Sequence, residues 1–278
     1  MTHSAPLWRV THGGAALLTV SLLLAPGARA QATGDGFLFR RPRGSLSIWT
    51  GYDRALANSP IFQFVTDTFT LSKSSFGAFA IGGDLAFTVA PRLELMFSAG
   101  WAGSKSSSAY RNWTVVPCGI SPSSTICAGS VGTGPVCGGC VRTPIQQTTA
   151  LERVPLTASL KWYLTAPGEA IGHFAWVPTR YAPFVGVGGG LMWYRFQQYG
   201  RFVDYADNTV ANDAVSSDQW TGEVHAFAGV DVALGPRYIL TGRAQYTWAK
   251  STLGSDFVGP NSVDLSGLSI TAGLGFRF

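Results

Sequence analysis

Residues 78–89 have the sequence Ala-Phe-Ala-Ile-Gly-Gly-Asp-Leu-Ala-Phe-Thr-Val. Large apolar side chains occupy most of the alternate positions, beginning with Phe79 and Ile81, and small or polar residues lie between them. Successive side chains of an extended strand point to opposite faces, so one face would be apolar and the other small or polar. The stretch therefore predicts a β-strand whose two faces meet different surroundings.

The same alternation recurs in further segments along the chain. Each segment pairs an apolar face with a polar or glycine-rich one. The segments cover residues 45–53, 93–101, 154–164, 185–193, 223–234, 240–248 and 268–278. Together with residues 78–89 they predict an all-β fold of about eight antiparallel strands.

The connections between the predicted strands alternate in length. Short or moderate ones are expected at residues 90–92, 165–180 and 235–236, and long ones at residues 54–74, 102–149, 197–220 and 250–264. A soluble β-sandwich also has alternating strands, but short turns on one rim and long loops on the other are typical of outer-membrane barrels. We therefore predict a closed transmembrane β-barrel with short periplasmic turns and long extracellular loops.

The polar face of the predicted strands carries ionisable residues, which the core of a sandwich would hardly tolerate. These residues are Asp84, Glu94, Lys161, Glu223, His225, Asp231, Arg243 and Arg277. Side chains just fill the interior of an eight-stranded barrel, so we expect these charges to pair across the lumen and plug it. A general porin, which needs an open lumen, is therefore disfavoured.

Aromatic residues gather near the predicted strand ends. Amphipathic rings prefer the headgroup level of a bilayer, so these positions predict two girdles around the barrel. The residues are Trp49, Tyr52, Trp101, Trp162, Tyr163, Trp193, Tyr194, Tyr246 and Trp248.

The N-terminus has the pattern of an export signal. Arg9 precedes an apolar run over residues 15–25, and Ala28-Arg29-Ala30 has the small-x-small pattern of a cleavage site. The run of 11 residues is too short for a membrane-spanning helix, which needs about 20. We predict a cleaved signal peptide over residues 1–30 and a single barrel domain over residues 31–278.

The charge of the chain is low and scattered. Charged residues make up 13% of it and the net charge is +5, against about 25% charged residues in soluble domains. Without Arg9 and Arg29 the mature chain has 18 basic and 15 acidic residues, a net charge of +3. This excess is too small to predict a nucleic-acid partner but is compatible with an anionic lipid surface.

The four cysteines, Cys118, Cys127, Cys137 and Cys140, all fall in the long connection after the third strand. An even number in an exported loop favours two disulfides, with three possible connectivities. A four-cysteine zinc site and a redox-active Cys137/Cys140 pair remain alternatives. The disulfides are favoured because Cys118 and Cys127 are too far apart in sequence for a usual zinc knuckle.

The chain ends on Ala-Gly-Leu-Gly-Phe-Arg-Phe over residues 272–278. This segment resembles the C-terminal targeting signal of Gram-negative outer-membrane barrels. The resemblance implies that the barrel assembly machinery recognises Gly273, Phe276 and Phe278. Across the mature chain, the strand count and loop pattern resemble the OmpA-like transmembrane domain and the OmpW-like barrels. That resemblance implies contact with outer-membrane lipids in a Gram-negative-type bacterium.

Two classes of function follow. A non-enzymatic barrel would act through its loops, with a surface ligand at the loop between Ala102 and Thr149, or as a narrow conduit for small apolar solutes. The alternative is a lipid-modifying acyl hydrolase or transferase, with His225 beside Glu223 and Asp231 as a general base. His225 is predicted to face the lumen, whereas such barrel enzymes need this residue on the lipid side, so we expect no enzyme.

No cofactor is expected either. The glycine-rich residues 186–190 lie within a strand pattern and no helix follows them, which disfavours a phosphate-binding loop.

Overall fold

The computed structural model describes residues 36–116, 127–130, 143–172, 174–205, 209–254, 257 and 262–278. The predicted signal peptide over residues 1–30 lies outside these residues, and so do Cys118, Cys137 and Cys140. Cys127 is described by its backbone alone. Signal cleavage and the two disulfides therefore stay predictions.

The described residues are mostly β-strand, and none of their helices is long and apolar enough to cross a membrane. The strands are β1 (Leu38–Phe39), β2 (Gly44–Ala55), β3 (Gly77–Ala90), β4 (Leu93–Val116), β5 (Cys127–Ser130), β6 (Thr143–Tyr163), β7 (Gly168–Ile171), β8 (Ala175–Pro178), β9 (Tyr181–Val203), β10 (Val210–Ala233), β11 (Tyr238–Thr252), β12 (Ser262–Asp264) and β13 (Gly267–Arg277). Helix α1 covers Pro60–Thr68, and a 3-10 helix follows at Lys73–Phe76.

Eight of these strands close into an antiparallel barrel: β2, β3, β4, β6, β9, β10, β11 and β13. Each pairs with the next one in this order, and β13 returns to pair with β2, where Leu274 lies opposite Ile48. Closure leaves no unpaired strand edge in the hydrocarbon, where each unsatisfied backbone group costs several kcal/mol. The predicted closed eight-stranded barrel is confirmed.

The outer wall of the barrel is apolar. On β3, Phe79 and Ile81 are 58% and 51% exposed, whereas Ala78 and Ala80 on the inner face are each 4% exposed. The other barrel strands repeat this alternation, so apolar side chains surround the whole barrel. Such a continuous apolar band faces lipid rather than water. The protein is an integral outer-membrane barrel.

Four barrel strands are much longer than a bilayer requires. β4, β6, β9 and β10 have 24, 21, 23 and 24 residues, whereas a transmembrane strand needs about 9–11. The prediction of loops over residues 102–149 and 197–220 is therefore wrong in part. Strands β4 and β6 continue into the two ends of the first segment, and β9 and β10 continue into the two ends of the second. Outside the bilayer the outward side chains become polar, and the large apolar residues that mark a lipid-facing strand are lost.

The predicted aromatic girdles are only partly correct. Tyr52, Trp101, Trp162 and Trp248 are 43–60% exposed on the outer wall. Three other predicted girdle residues, Trp49, Tyr163 and Tyr194, share the inward phase of their strands, and the two tyrosines are almost completely buried. These rings fill the barrel, because the eight-stranded interior needs large side chains as well as charges.

Helix α1 fills the extracellular part of the barrel. Its Ile61, Phe62 and Val65 are no more than 1% exposed and belong to an apolar core formed with inward-facing strand residues. The Phe62 ring centroid lies 5.9 Å from that of Phe196 on β9 and 4.7 Å from that of Phe76. An apolar plug therefore closes this end.

The periplasmic end is covered by a small separate sheet. Strands β1, β8 and β7 pair antiparallel in that order, outside the barrel sheet. Trp176 of β8 is 3% exposed, and the Arg277 guanidinium lies 5.3 Å from its ring centroid. The moderate connection predicted over residues 165–180 therefore covers the rim.

Candidate functional site in the barrel lumen

The structure places all the ionisable residues that were singled out on the polar face inside the barrel. Each is 9% exposed or less: Asp84, Glu94, Lys161, Glu223, His225, Asp231, Arg243 and Arg277. Seven of them form three groups of contacts inside the barrel. The eighth, Arg277, lies against the Trp176 ring near the periplasmic rim, and its Nη1 is buried without a hydrogen-bond partner among the described residues. Buried charges need partners, so the contacts within each group decide what it can do.

The group nearest the periplasmic rim centres on Lys161 and Asp231. The Lys161 Nζ lies 2.7 Å from Asp231 Oδ2 and 3.7 Å from Glu94 Oε2. The Tyr163 hydroxyl donates to Asp231 Oδ2 at 2.6 Å and to Glu94 Oε2 at 3.1 Å, and Thr241 donates to Asp231 Oδ1 at 2.7 Å. Asp231 is thus held by three donors, which locks this layer across several strands.

A second group joins the middle of the barrel. Arg243 Nη1 donates to Asp84 Oδ2 at 3.1 Å, and Trp49 Nε1 donates to Asp84 Oδ1 at 2.9 Å. The Arg243 guanidinium also lies 5.5 Å from the Trp49 ring centroid and 5.9 Å from that of Phe227. Both oxygens of the Asp84 carboxylate accept a hydrogen bond, and the Arg243 cation lies near two aromatic rings.

The third group is a serine, a histidine and a carboxylate in a chain. Ser159 Oγ lies 2.8 Å from His225 Nε2, and His225 Nδ1 lies 3.3 Å from Glu223 Oε1. Gly188 on β9 lies between β6 and β10 in the register, and its missing side chain lets Ser159 and His225 meet. The order of groups is that of a nucleophile, a base and an orienting acid.

One luminal ion pair was not predicted from the sequence. Arg153 Nη2 lies 2.9 Å from Asp53 Oδ1, and Arg153 Nη1 donates to the Leu265 carbonyl at 3.4 Å. Arg153 is 3% exposed. The predicted strand begins at Val154, whereas β6 begins at Thr143. Arg153 therefore fell outside the predicted strand, although the polar phase of Thr157 and Lys161 extends back to it.

A small cavity separates the apolar plug from the charged layers. Its walls include Trp49, Asp53, Arg153, Glu223 and Arg243. Its volume is about 50 Å³, which is room for a few water molecules. Glu223 Oε2 is buried without a hydrogen-bond partner among the described residues, and water in this cavity would satisfy it.

The described residues hold no cluster of three or more His, Cys, Asp or Glu side chains placed to bind a metal ion. The cysteine zinc alternative is untouched by this finding, since Cys118, Cys137 and Cys140 lie outside the described residues.

The C-terminal residues singled out in the sequence complete the barrel wall. The Phe278 amide donates to the Gly44 carbonyl at 3.0 Å, and its carbonyl accepts from Arg43 at 2.7 Å. Phe276 and Phe278 are 37% and 50% exposed on the outer wall. Gly273 faces inward, where a side chain would press on Trp49.

No family model matches the chain, and no curated protein matches it. Solved structures similar to it include Neisserial surface protein A, which is 12% identical, with 88% of this chain and 98% of that chain covered and a TM-score of 0.39. Outer Membrane Protein W of Escherichia coli is 14% identical, with coverages of 86% and 100% and a TM-score of 0.33. The outer membrane protease OmpT of Escherichia coli is 11% identical, with coverages of 85% and 95% and a TM-score of 0.36.

The barrel and its position in the membrane follow from the strand pairing and the apolar outer wall, and they do not rest on these likenesses.

Proposed function

We propose that this protein is a non-enzymatic outer-membrane barrel that acts through its extracellular surface. The observation that supports this most directly is the length of β4, β6, β9 and β10, which continue as one paired sheet well beyond a bilayer's thickness. We call this part, residues 104–116, 143–152, 194–203 and 210–220, the extracellular extension. The lumen below it is filled, so the extension is the larger accessible surface.

The exposed surface of the extracellular extension is polar and of mixed charge. Its exposed polar residues include Lys105, Ser107, Arg111, Asn112, Gln146, Arg201, Asn212, Asp213, Ser216 and Asp218. A surface of this kind fits a hydrophilic partner, such as a protein or a polysaccharide, better than an apolar one.

The extracellular extension is fixed to the plug below it. Arg111 donates through Nε to the Thr66 carbonyl at 3.1 Å and through Nη2 to the Leu71 carbonyl at 3.2 Å. The ring centroids of Phe69 and Tyr110 are 4.6 Å apart. These contacts give a preformed surface, which binds without the cost of ordering a loop.

The test is a deletion of residues 112–142, closed by a short Gly-Ser turn. Proteoliposomes carrying the wild-type protein should be retained on at least one plate of a panel coated with protein, polysaccharide or lipopolysaccharide. We expect the deletion to reduce this retention at least tenfold while the cold-versus-boiled gel shift still shows a folded barrel. The matched control deletes residues 206–208 from the connection between β9 and β10. Equal retention of the deletion variant would reject a contact made through residues 112–142, and wild-type retention no higher than that of empty liposomes would reject the proposal.

A narrow conduit for small apolar solutes is the other version of a non-enzymatic role. The apolar core around α1 supports it, because a displaced helix would leave an apolar chamber. Single-channel recording in planar bilayers separates the two versions. A folded but silent barrel supports the surface role, whereas discrete small openings would favour the conduit.

A lipid-modifying hydrolase is the second candidate, favoured by the chain Ser159–His225–Glu223. Ser159 and His225 are only 2% and 3% exposed and face the lumen, so an acyl chain in the bilayer does not reach them. The variants Ser159→Ala and His225→Ala should leave the lipid A profile of expressing cells unchanged. An altered wild-type profile that either variant abolishes would establish the enzyme.

Assembly is expected to depend on the C-terminus. We propose that the barrel assembly machinery recognises Phe276 and Phe278, with outer-membrane lipids then surrounding the finished wall. Phe278→Ala should lower the amount of folded protein in the outer membrane several-fold, compared with Leu268→Ala, which removes a similar outward side chain at the other end of β13. Equal yields would contradict this role.

A further inference from the structure

The surface charge of the barrel is concentrated on one rim. The periplasmic rim is the end that holds the short turns and both ends of the barrel sheet, at Gly44 and Phe278. Its arginines are Arg40, Arg41, Arg43, Arg92, Arg180 and Arg237, which we call the arginine collar. The only acidic residue among the described residues of this rim is Glu169.

The other parts of the described chain are nearly neutral. The lumen holds Asp53, Asp84, Glu94, Glu223 and Asp231 against Arg153, Lys161, Arg243 and Arg277. The extracellular part has seven basic residues, Arg54, Lys73, Lys105, Arg111, Arg195, Arg201 and Lys250, against six acidic ones, Asp67, Glu152, Asp204, Asp213, Asp218 and Asp264. The net positive charge of the described residues therefore lies at the periplasmic rim.

The arginine collar runs around the rim and does not form a single patch. The Arg43 carbonyl accepts from Thr88 on β3, and the Arg92 carbonyl accepts from Tyr163 on β6. In the same way, the Arg180 carbonyl accepts from β10 and the Arg237 carbonyl accepts from β13. Backbone hydrogen bonds thus fix the collar residues at successive strand ends.

Five of the six collar arginines present exposed guanidinium groups to a ligand. Arg40, Arg41, Arg43, Arg92 and Arg180 are exposed, and none of them forms an ion pair within the described part of the chain. Arg41 donates one hydrogen bond from Nη2 to the Ala90 carbonyl at 3.1 Å.

The last row of the lipid-facing wall lies directly beside the collar. Val89, Leu164, Tyr181, Leu234, Tyr238 and Phe278 are 50–63% exposed at the strand ends. A lipid whose acyl chains lie against this row has its headgroup at the level of the arginines. Guanidinium groups bind phosphate oxygens through paired hydrogen bonds, and they retain their charge at any physiological pH.

We propose that the arginine collar binds the phosphate groups of anionic phospholipids in the periplasmic leaflet and thereby fixes the depth of the barrel in the membrane. The ligand needs both parts, a phosphodiester for the arginines and acyl chains for the apolar row. The collar acts independently of the surface contact proposed above, since it lies at the opposite end of the barrel.

The test compares two quintuple variants. One replaces Arg40, Arg41, Arg43, Arg92 and Arg180 by Gln, and the matched control replaces Arg54, Lys73, Lys105, Arg201 and Lys250 by Gln, which removes equal charge from the extracellular side. Each protein is refolded in bilayers of equimolar phosphatidylglycerol and phosphatidylcholine, released in mild detergent, and its retained lipids are counted by native mass spectrometry. A gel shift confirms folding.

We expect the wild type and the control to retain phosphatidylglycerol at least fivefold over phosphatidylcholine and the collar variant to retain both equally. Glycerophosphoglycerol, the headgroup without chains, should not displace the retained lipid at millimolar concentration. The proposal is overturned if the collar variant keeps the wild-type preference, if the control loses it too, or if the free headgroup displaces the lipid. Binding to peptidoglycan sacculi that only the collar variant loses would assign the collar to that polymer instead.

Discussion

At the scale of the residue, contacts between luminal side chains depend on small residues that lie between them in the sheet. Gly188 shows this most directly, because it separates Ser159 from His225 in the register and its lack of a side chain allows their contact. A β-carbon at this position would collide with both partners and with the Ala158 carbonyl. The glycine-rich stretch of β9 therefore serves the interior packing of the barrel.

Gly188→Ala should break the Ser159–His225 hydrogen bond and destabilise the folded barrel by about 1–3 kcal/mol, as overpacking of a filled interior does. Urea unfolding in detergent, followed by the gel shift, measures the loss. Gly222→Ala on β10 is the control, since nothing lies near its added carbon and its stability should hardly change. Equal effects of the two changes would show that the contact has no packing role.

The Lys161–Asp231 pair is the second residue-scale case. Asp231→Asn leaves Lys161 buried with Glu94 alone, 3.7 Å away, and losing one partner of a buried pair costs about 3–5 kcal/mol. The double variant with Lys161→Met removes the stranded cation and should recover a large part of that loss. A double-mutant cycle in urea measures the coupling, and additive losses would mean that the two residues act separately.

At the scale of the element, helix α1 replaces what the sequence presents as a loop. Pro60 begins it, Ile61, Phe62 and Val65 form its buried face, and Phe64 lies on the exposed one. A helix of 9 residues is marginal by itself. It is stable because that face packs inside the wall made by the long strands, so the plug depends on the barrel around it.

Phe62→Ala should leave a cavity in the apolar plug and cost about 3–5 kcal/mol. The matched change Phe64→Ala removes the same ring from a position that is 47% exposed, and its effect should stay within about 0.5 kcal/mol. Limited proteolysis of the extracellular end should follow the same order. Similar sensitivity of both variants would indicate that α1 leaves the barrel in solution.

At the scale of the whole molecule, the barrel inverts the usual distribution of polarity. Apolar side chains surround the outside, and ion pairs beside a small cavity occupy the middle. Helix α1 closes one end of the lumen, and the sheet of β1, β8 and β7 covers the other. We therefore expect partners to bind at the two ends of the barrel outside the lumen. The extracellular extension and the arginine collar lie at these two ends.

Leu274→Arg tests the lipid-facing wall directly. Leu274 is 55% exposed on β13 and lies opposite Ile48, between the level of the girdle residue Tyr52 and the periplasmic end of the strand. An arginine that faces the middle of the bilayer costs about 2–4 kcal/mol. Gln146→Arg, on the exposed face of the extracellular extension, should be neutral. Unfolding in lipid vesicles measures both, and a neutral Leu274→Arg would mean that this face meets water.

The sequence by itself determined the eight strands, their order and the inward direction of the charged residues, because a period of two assigns each side chain to a face of the wall. Only the tertiary structure decided which charges pair, since Lys161 and Asp231 are 70 residues apart and meet through closure. It also decided that the long connections are strands and a helical plug. Outside the bilayer the alternation of apolar and polar residues weakens, so these strand ends are not visible in the sequence. Helix α1 is stabilised by tertiary packing, which a local sequence pattern does not show.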